Sequence, residues 1–113
     1  MITVSENNAI KIVSVESKIV DAKTAGAIRE TIAEMVPQNR QFVLDLSQTN
    51  LVDSGGLAGI VMLHKFLNGQ QCQLVLCGLS KAVVGLFKLT RMDRLFDLQD
   101  DIQSSVKALE SKA

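Results

Sequence analysis

The chain has 113 residues, 47% of them hydrophobic and 21% charged, which suits one domain around a single modest core. Twelve lysines and arginines balance twelve aspartates and glutamates, so the cationic excess on which non-specific nucleic-acid binding depends is missing. No apolar run approaches the ~20 residues that cross a bilayer, and Met1-Ile2-Thr3-Val4-Ser5-Glu6 has neither a basic region nor an apolar signal core. A cytoplasmic protein with no direct nucleic-acid contact and no membrane contact is expected.

Strand-like and helix-like patterns alternate along the chain. Ile2-Thr3-Val4 and Ala9 to Val15 read as two strands, with Asn7-Asn8 supplying a hairpin turn. From Asp21 the period lengthens. Ala25, Ile28, Ile32, Met35 and Val36 follow helical spacing behind an Asp21 cap, and Pro37 marks the stop. Phe42 to Leu46 forms the next strand. A short polar linker then leads to Val52-Asp53-Ser54-Gly55-Gly56-Leu57 and a helix that ends near Asn68-Gly69. Its expected apolar face carries Leu57, Ile60, Val61, His64 and Leu67. A third pair follows, the strand Gln73 to Cys77 and a helix capped by Ser80 that buries Val83, Leu86 and Phe87. Beyond the short apolar piece Leu95 to Leu98, a last helix starts at Asp100 or Asp101, with Ile102, Val106 and Leu109 as its stripe.

This order predicts an α/β fold. It is a single domain over residues 1–113, with a mixed β-sheet of about four to five strands and about four helices. Sites in such sheets gather at the carboxyl ends of parallel strands, where the strand at 42–46 delivers the chain toward Ser54.

Ser54 is the most informative residue. A hydroxyl at a loop-to-helix junction can cap the helix by accepting a backbone N–H bond. It can also carry a phosphoryl group, which free N–H groups and the helix dipole stabilise. Asp53 beside it can orient Ser54 or serve as the cap itself. Gly56 is expected where a side chain would crowd the loop, the helix packing or an incoming partner.

Catalytic constellations are scarce, and no enzymatic activity is expected. The only histidine, His64, lies on or beside a buried helix stripe. Neither a phosphate-binding loop nor a dinucleotide fingerprint occurs, and Asp53-Ser54-Gly55-Gly56 lacks the glycine spacing of a nucleophile elbow. Asp45 and Asp53 could suggest paired carboxylates, but a strand end and a loop fix no separation between them. Cys72 and Cys77 have opposite strand parity, which disfavours a bridge, and neither has a metal-ligand partner in spacing. Both read as reduced structural thiols. No cofactor or metal is expected.

The chain resembles the STAS domain family, specifically the bacterial anti-sigma-factor antagonists, over essentially all of residues 1–110. The residues that carry the likeness are Val43-Leu44-Asp45-Leu46-Ser47, then Val52-Asp53-Ser54-Gly55-Gly56-Leu57. Leu74-Val75-Leu76-Cys77-Gly78-Leu79-Ser80, Val83, Leu86-Phe87 and Leu89 extend it, and Asp21 with Thr24-Ala25 matches the opening of the family's first helix. The resemblance implies a binding module whose partner is an anti-sigma factor that is also a serine kinase. That kinase phosphorylates the serine after the aspartate, here Ser54, which ends the binding, and a serine phosphatase restores it. The implied contact surface comprises Asp21, Thr24, Asp53, Ser54, Gly55, Gly56 and Leu57. One departure stands out, since Gly55 occupies a position where the family commonly has serine or threonine. Two alternatives remain open from the residues. One is a non-phosphorylated STAS scaffold, such as a regulatory partner of a transporter, and the other is a small nucleotide-binding protein.

Overall fold

In the computed structural model, which describes residues 1–112, β1 (Ile2–Asn7) and β2 (Ile10–Val15) form an antiparallel hairpin. Its two central residues are Asn8 and Ala9, with φ of 51° and 68°, one position later than the Asn7-Asn8 turn expected from sequence. Both lie in the left-handed region, as a two-residue turn matching strand twist requires. β2, β4 (Gln41–Asp45), β6 (Gln73–Cys77) and β7 (Asp97–Gln99) continue the sheet in parallel, in the order β1-β2-β4-β6-β7. The mixed five-stranded sheet and four helices agree with the expected α/β class.

The strands of the sheet centre are buried on both faces, and alternate residues build two cores. On one face Val13, Val15, Phe42, Leu44 and Leu76 meet α1 (Ala22–Met35), α2 (Ser54–Gly69) and α3 (Lys81–Leu89) through Ile28, Ile32, Ile60, Leu63, Leu67 and Phe87. On the other, Ile10, Ile12, Val43, Val75 and Cys77 meet α4 (Ile102–Glu110) through Val106 and Leu109. Cys72 belongs to the first core and Cys77 to the second, and both are free thiols. Burial pushes the Cys77 thiol pKa up to about 11, so it stays protonated and unreactive at neutral pH.

Two further features depart from the sequence-based expectation. The short linker ahead of Val52 is not purely polar. Thr49 is buried and donates to the Ser17 carbonyl at 2.9 Å, and β5 (Leu51–Val52) pairs in parallel with β3 (Ile19–Val20). The buried stripe of α2 is Gly56, Ile60, Leu63 and Leu67, which replaces the face centred on Leu57, Val61 and His64. Those three are only partly buried. His64 packs edge-on to Phe96 with ring centroids 5.0 Å apart, and burial lowers its pKa.

Helix starts are capped by carboxylates and a hydroxyl. Asp21 Oδ1 accepts the Thr24 N–H at 2.8 Å and Ser80 Oγ accepts that of Val83. Asp101, not Asp100, caps α4 in a reciprocal box with Ser104. The backbone N–H and then the hydroxyl of the N3 residue, Thr24 or Ser104, hold the Asp21 and Asp101 carboxyls below their ordinary pKa. A carboxyl with a depressed folded pKa contributes stability above its unfolded pKa, and the contribution disappears as pH falls through the folded value. Urea midpoints are therefore expected to hold steady down to about pH 5 and to fall below about pH 4, near the unfolded aspartate pKa. Asp101→Asn should flatten part of that acid limb, and an unchanged limb would remove Asp101 as a contributor.

Candidate functional site

Beyond the carboxyl ends of β2 and β4, the chain repeats one short pattern twice. Ile19-Val20-Asp21 runs through β3 into α1, and Leu51-Val52-Asp53 runs through β5 into α2. The pairs Ile19↔Leu51 and Val20↔Val52 lie in register, with the two valines buried and the two larger residues half exposed. Parallel pairing of the strands then sets the starts of α1 and α2 side by side.

The helices touch through their smallest residues. A Cβ on Gly55 would lie 3.1 Å from the Ala22 Cβ, and one on Gly59 would lie 2.4 Å from the Ala25 Cβ. Gly56 is tighter still. A Cβ there would stand 2.0 Å from the Val20 carbonyl oxygen and 2.7 Å from its carbon. Gly55 thus has a local reason to be small, since a larger residue would press on the start of α1 at Ala22.

Asp53 is the cap of α2, and Ser54 is the first residue of the helix. Asp53 Oδ1 accepts the Gly56 N–H at 2.8 Å, which overturns the reading of Ser54 as N-cap. The Leu57 N–H reaches the Asp53 carbonyl at 2.9 Å, so Ser54 and Gly55 carry the open N–H donors of the first turn. Asp53 and Ser54 are exposed. Asp53→Ala is expected to lower stability by about 1 kcal/mol through the lost cap, while Asp53→Asn keeps most of it. Urea titration of both variants decides this, and equal losses would argue against a cap role.

The predicted contact residues divide by position. Asp21 and Thr24 at the start of α1 lie beside Asp53, Ser54 and Gly55 at the start of α2, and all five are exposed or partly so. Gly56 is buried against Val20, and Leu57 packs against the core beneath the junction. Asp45 stands apart from Asp53 in its contacts. It accepts from Ser14 Oγ at 3.3 Å and from the Ser47 N–H at 3.0 Å, which ties strand ends together. The sequence reading missed Ile19 and Leu51. Their signal was the repeated hydrophobe-Val-Asp triplet, each copy leading into a helix.

A domain of the α/β class, with one exposed serine at the meeting point of two helix starts, is what this geometry defines. The STAS domain model matches residues 1–107, and the chain belongs to that family. The anti-sigma-B factor antagonist of Listeria monocytogenes is 30% identical over 82 residues, 72% of either chain. An anti-sigma factor antagonist from Mycobacterium paratuberculosis has the same fold, with a TM-score of 0.83 at 22% identity over 97% of this chain and 93% of the other. The Bacillus cell-fate determinant SpoIIAA in its phosphorylated form superposes with a TM-score of 0.70 at 12% identity over 100% of both chains. These two structures establish the shared fold. No helix among the described residues is long and apolar enough to cross a membrane.

Proposed function

We propose that this protein is an anti-sigma factor antagonist switched by phosphorylation of Ser54. The unphosphorylated chain binds an anti-sigma factor that is also a serine kinase and keeps it from its sigma factor. Phosphorylation of Ser54 by that kinase ends the contact, and a serine phosphatase restores it. The chain acts by binding, not by catalysis of its own.

One observation carries this reading. Ser54 is exposed at the first residue of α2, and Asp53 relieves its hydroxyl of the capping role. The names of the relatives support the choice of partner. The phosphorylated state of a similar fold supports the compatibility of the architecture with a phosphate. At this place a phosphoryl group adds about −1.5 to −2 charges where open N–H groups can hold it without unfolding the domain. The neighbouring Asp21 and Asp53 carboxylates make the surface more anionic still. A partner shaped for a neutral hydroxyl then meets repulsion and desolvation, and a loss of ~3 kcal/mol weakens binding over a hundredfold.

The direct test is incubation of the protein with ATP and a purified anti-sigma factor serine kinase from the same bacterium, read by intact mass. One phosphate on the wild type and none on Ser54→Ala is the expected result. No phosphate overturns the switch and favours a non-phosphorylated scaffold, and a phosphate that survives in Ser54→Ala overturns Ser54 as the switch residue.

A further inference from the structure

The side-by-side pair Ile19 and Leu51 has no packing reason to be so apolar. Both are in two-residue strands whose inward residues, Val20 and Val52, already complete the core, yet each is 51% exposed. The apolar surface continues from Leu51 onto α3. Leu51, Ala82 and Leu86 line one shallow depression, and Ala82 is exposed there. Exposed Lys18 and Lys81 adjoin Ile19 and Ala82 in sequence and add cationic groups next to this surface. Scattered apolar residues on a surface need no explanation, but a contiguous patch beside a binding surface does.

We infer that the Ile19–Leu51 pair, continued by Ala82 and Leu86, is the apolar anchor with which the Ser54 surface grips its partner. The inference rests on the proposed function and names the part of the interface that supplies affinity. Its occupant is the anti-sigma factor kinase itself, through an apolar surface bordered by acidic groups that answer Lys18 and Lys81. Continuity fixes the occupant. Leu51 precedes Ser54 by three residues, which places their Cα atoms within roughly 10 Å at extended-chain spacing, and Ile19 is paired beside Leu51. A standard interface buries about 800 Å² per partner, a disc of roughly 16 Å radius. Any such partner centred on Ser54 covers Ile19 and Leu51 as well. The same closeness accounts for the leverage of the phosphate. Its charge falls within about one Debye length of the anchor, and water it retains there keeps the apolar contact from closing.

The test compares Ile19→Thr/Leu51→Thr with Ile19→Val/Leu51→Ile, both built on Ser54→Ala so that phosphorylation plays no part. Threonine keeps the strand preference but removes apolar surface, while the second double variant keeps it. Calorimetric titration against the purified kinase should show affinity at least tenfold weaker for the threonine pair and within about threefold of the parent for the valine–isoleucine pair. Thermal unfolding midpoints confirm that both are folded. Parent-like affinity in a folded threonine pair, together with weak binding by Ser54→Asp, overturns the anchor and leaves the phosphorylation switch standing. Equal weakening in both double variants also overturns it, because a retained apolar pair then fails to bind. Absence of any binding by Ser54→Ala overturns the anchor and the proposed function together.

Discussion

Gly56→Val is expected to destabilise the domain by at least about 3 kcal/mol, toward the upper end of overpacking effects. The clash is with backbone atoms, at 2.0 Å from the Val20 oxygen and 2.7 Å from its carbon, so no side-chain rotation relieves it. The Val20 carbonyl also accepts the Asp53 N–H at 3.2 Å. Pushing it away strains the β3–β5 pairing and the cap of α2 at once. With 4–8 °C per kcal/mol for domains near this size, the thermal midpoint should fall by ~10 °C or more. Gly85→Ala is the control. It is also a helix glycine, but nothing lies within 4 Å of its added methyl group. Helix preference alone then operates, and stability should rise by roughly 0.5–1 kcal/mol. Midpoints by circular dichroism decide the outcome. A Gly56→Val protein as stable as the wild type would disprove the tight junction.

Which parts of this architecture were legible in the sequence follows from the length of each signal. α1 and α2 announce themselves through apolar residues recurring over two or more turns, with Asp21 and Pro37 bounding the first and Asn68-Gly69 ending the second, while α3 shows a shorter stripe behind its Ser80 cap. β2, β4 and β6 are five- or six-residue strands carrying three or four apolar residues each, enough to stand out. β3 and β5 have two residues each, and no periodicity can be read from two residues. They exist because they pair with each other, a tertiary event that local pattern does not encode. The misplaced turn has a similar origin, since Asn7-Asn8 is the better local turn signal and strand register puts Ala9 at its centre instead. Leu63 was recoverable. Gly56, Ile60, Leu63 and Leu67 keep helical spacing, but Gly56 carries no apolar side chain to mark the start of that stripe, whereas Leu57 marks the neighbouring one. At the candidate site, Asp53 and Ser54 are both competent caps in adjacent positions. Only the geometry assigns the cap to Asp53, and that assignment is what leaves the serine hydroxyl open.

That division of labour sharpens what substitutions at Ser54 should do. With the cap held by Asp53, Ser54→Ala gives up no capping bond, and its stability should lie within about 0.5 kcal/mol of the wild type. Ser54→Asp places one negative charge at the first helical position, where the dipole favours it by ~0.3–1 kcal/mol against the nearby Asp53 carboxylate, so it too should fold. The two folded variants then differ in the one property that matters to the partner. Ser54→Ala presents a neutral surface that no kinase can charge, and it should bind the anti-sigma factor kinase as tightly in the presence of ATP as without it. Ser54→Asp carries less charge than a phosphate, whose ~1.5–2 negative charges and three acceptor oxygens hold more water at the contact. Its affinity should be at least tenfold weaker than that of Ser54→Ala, and that of the phosphorylated wild type over a hundredfold weaker, a loss of ~3 kcal/mol. Calorimetric titration of the three proteins against the purified kinase, with circular dichroism as the folding control, measures the series. Equal affinities across it would mean that the partner does not sense charge at this helix start, and the switch would have to be abandoned.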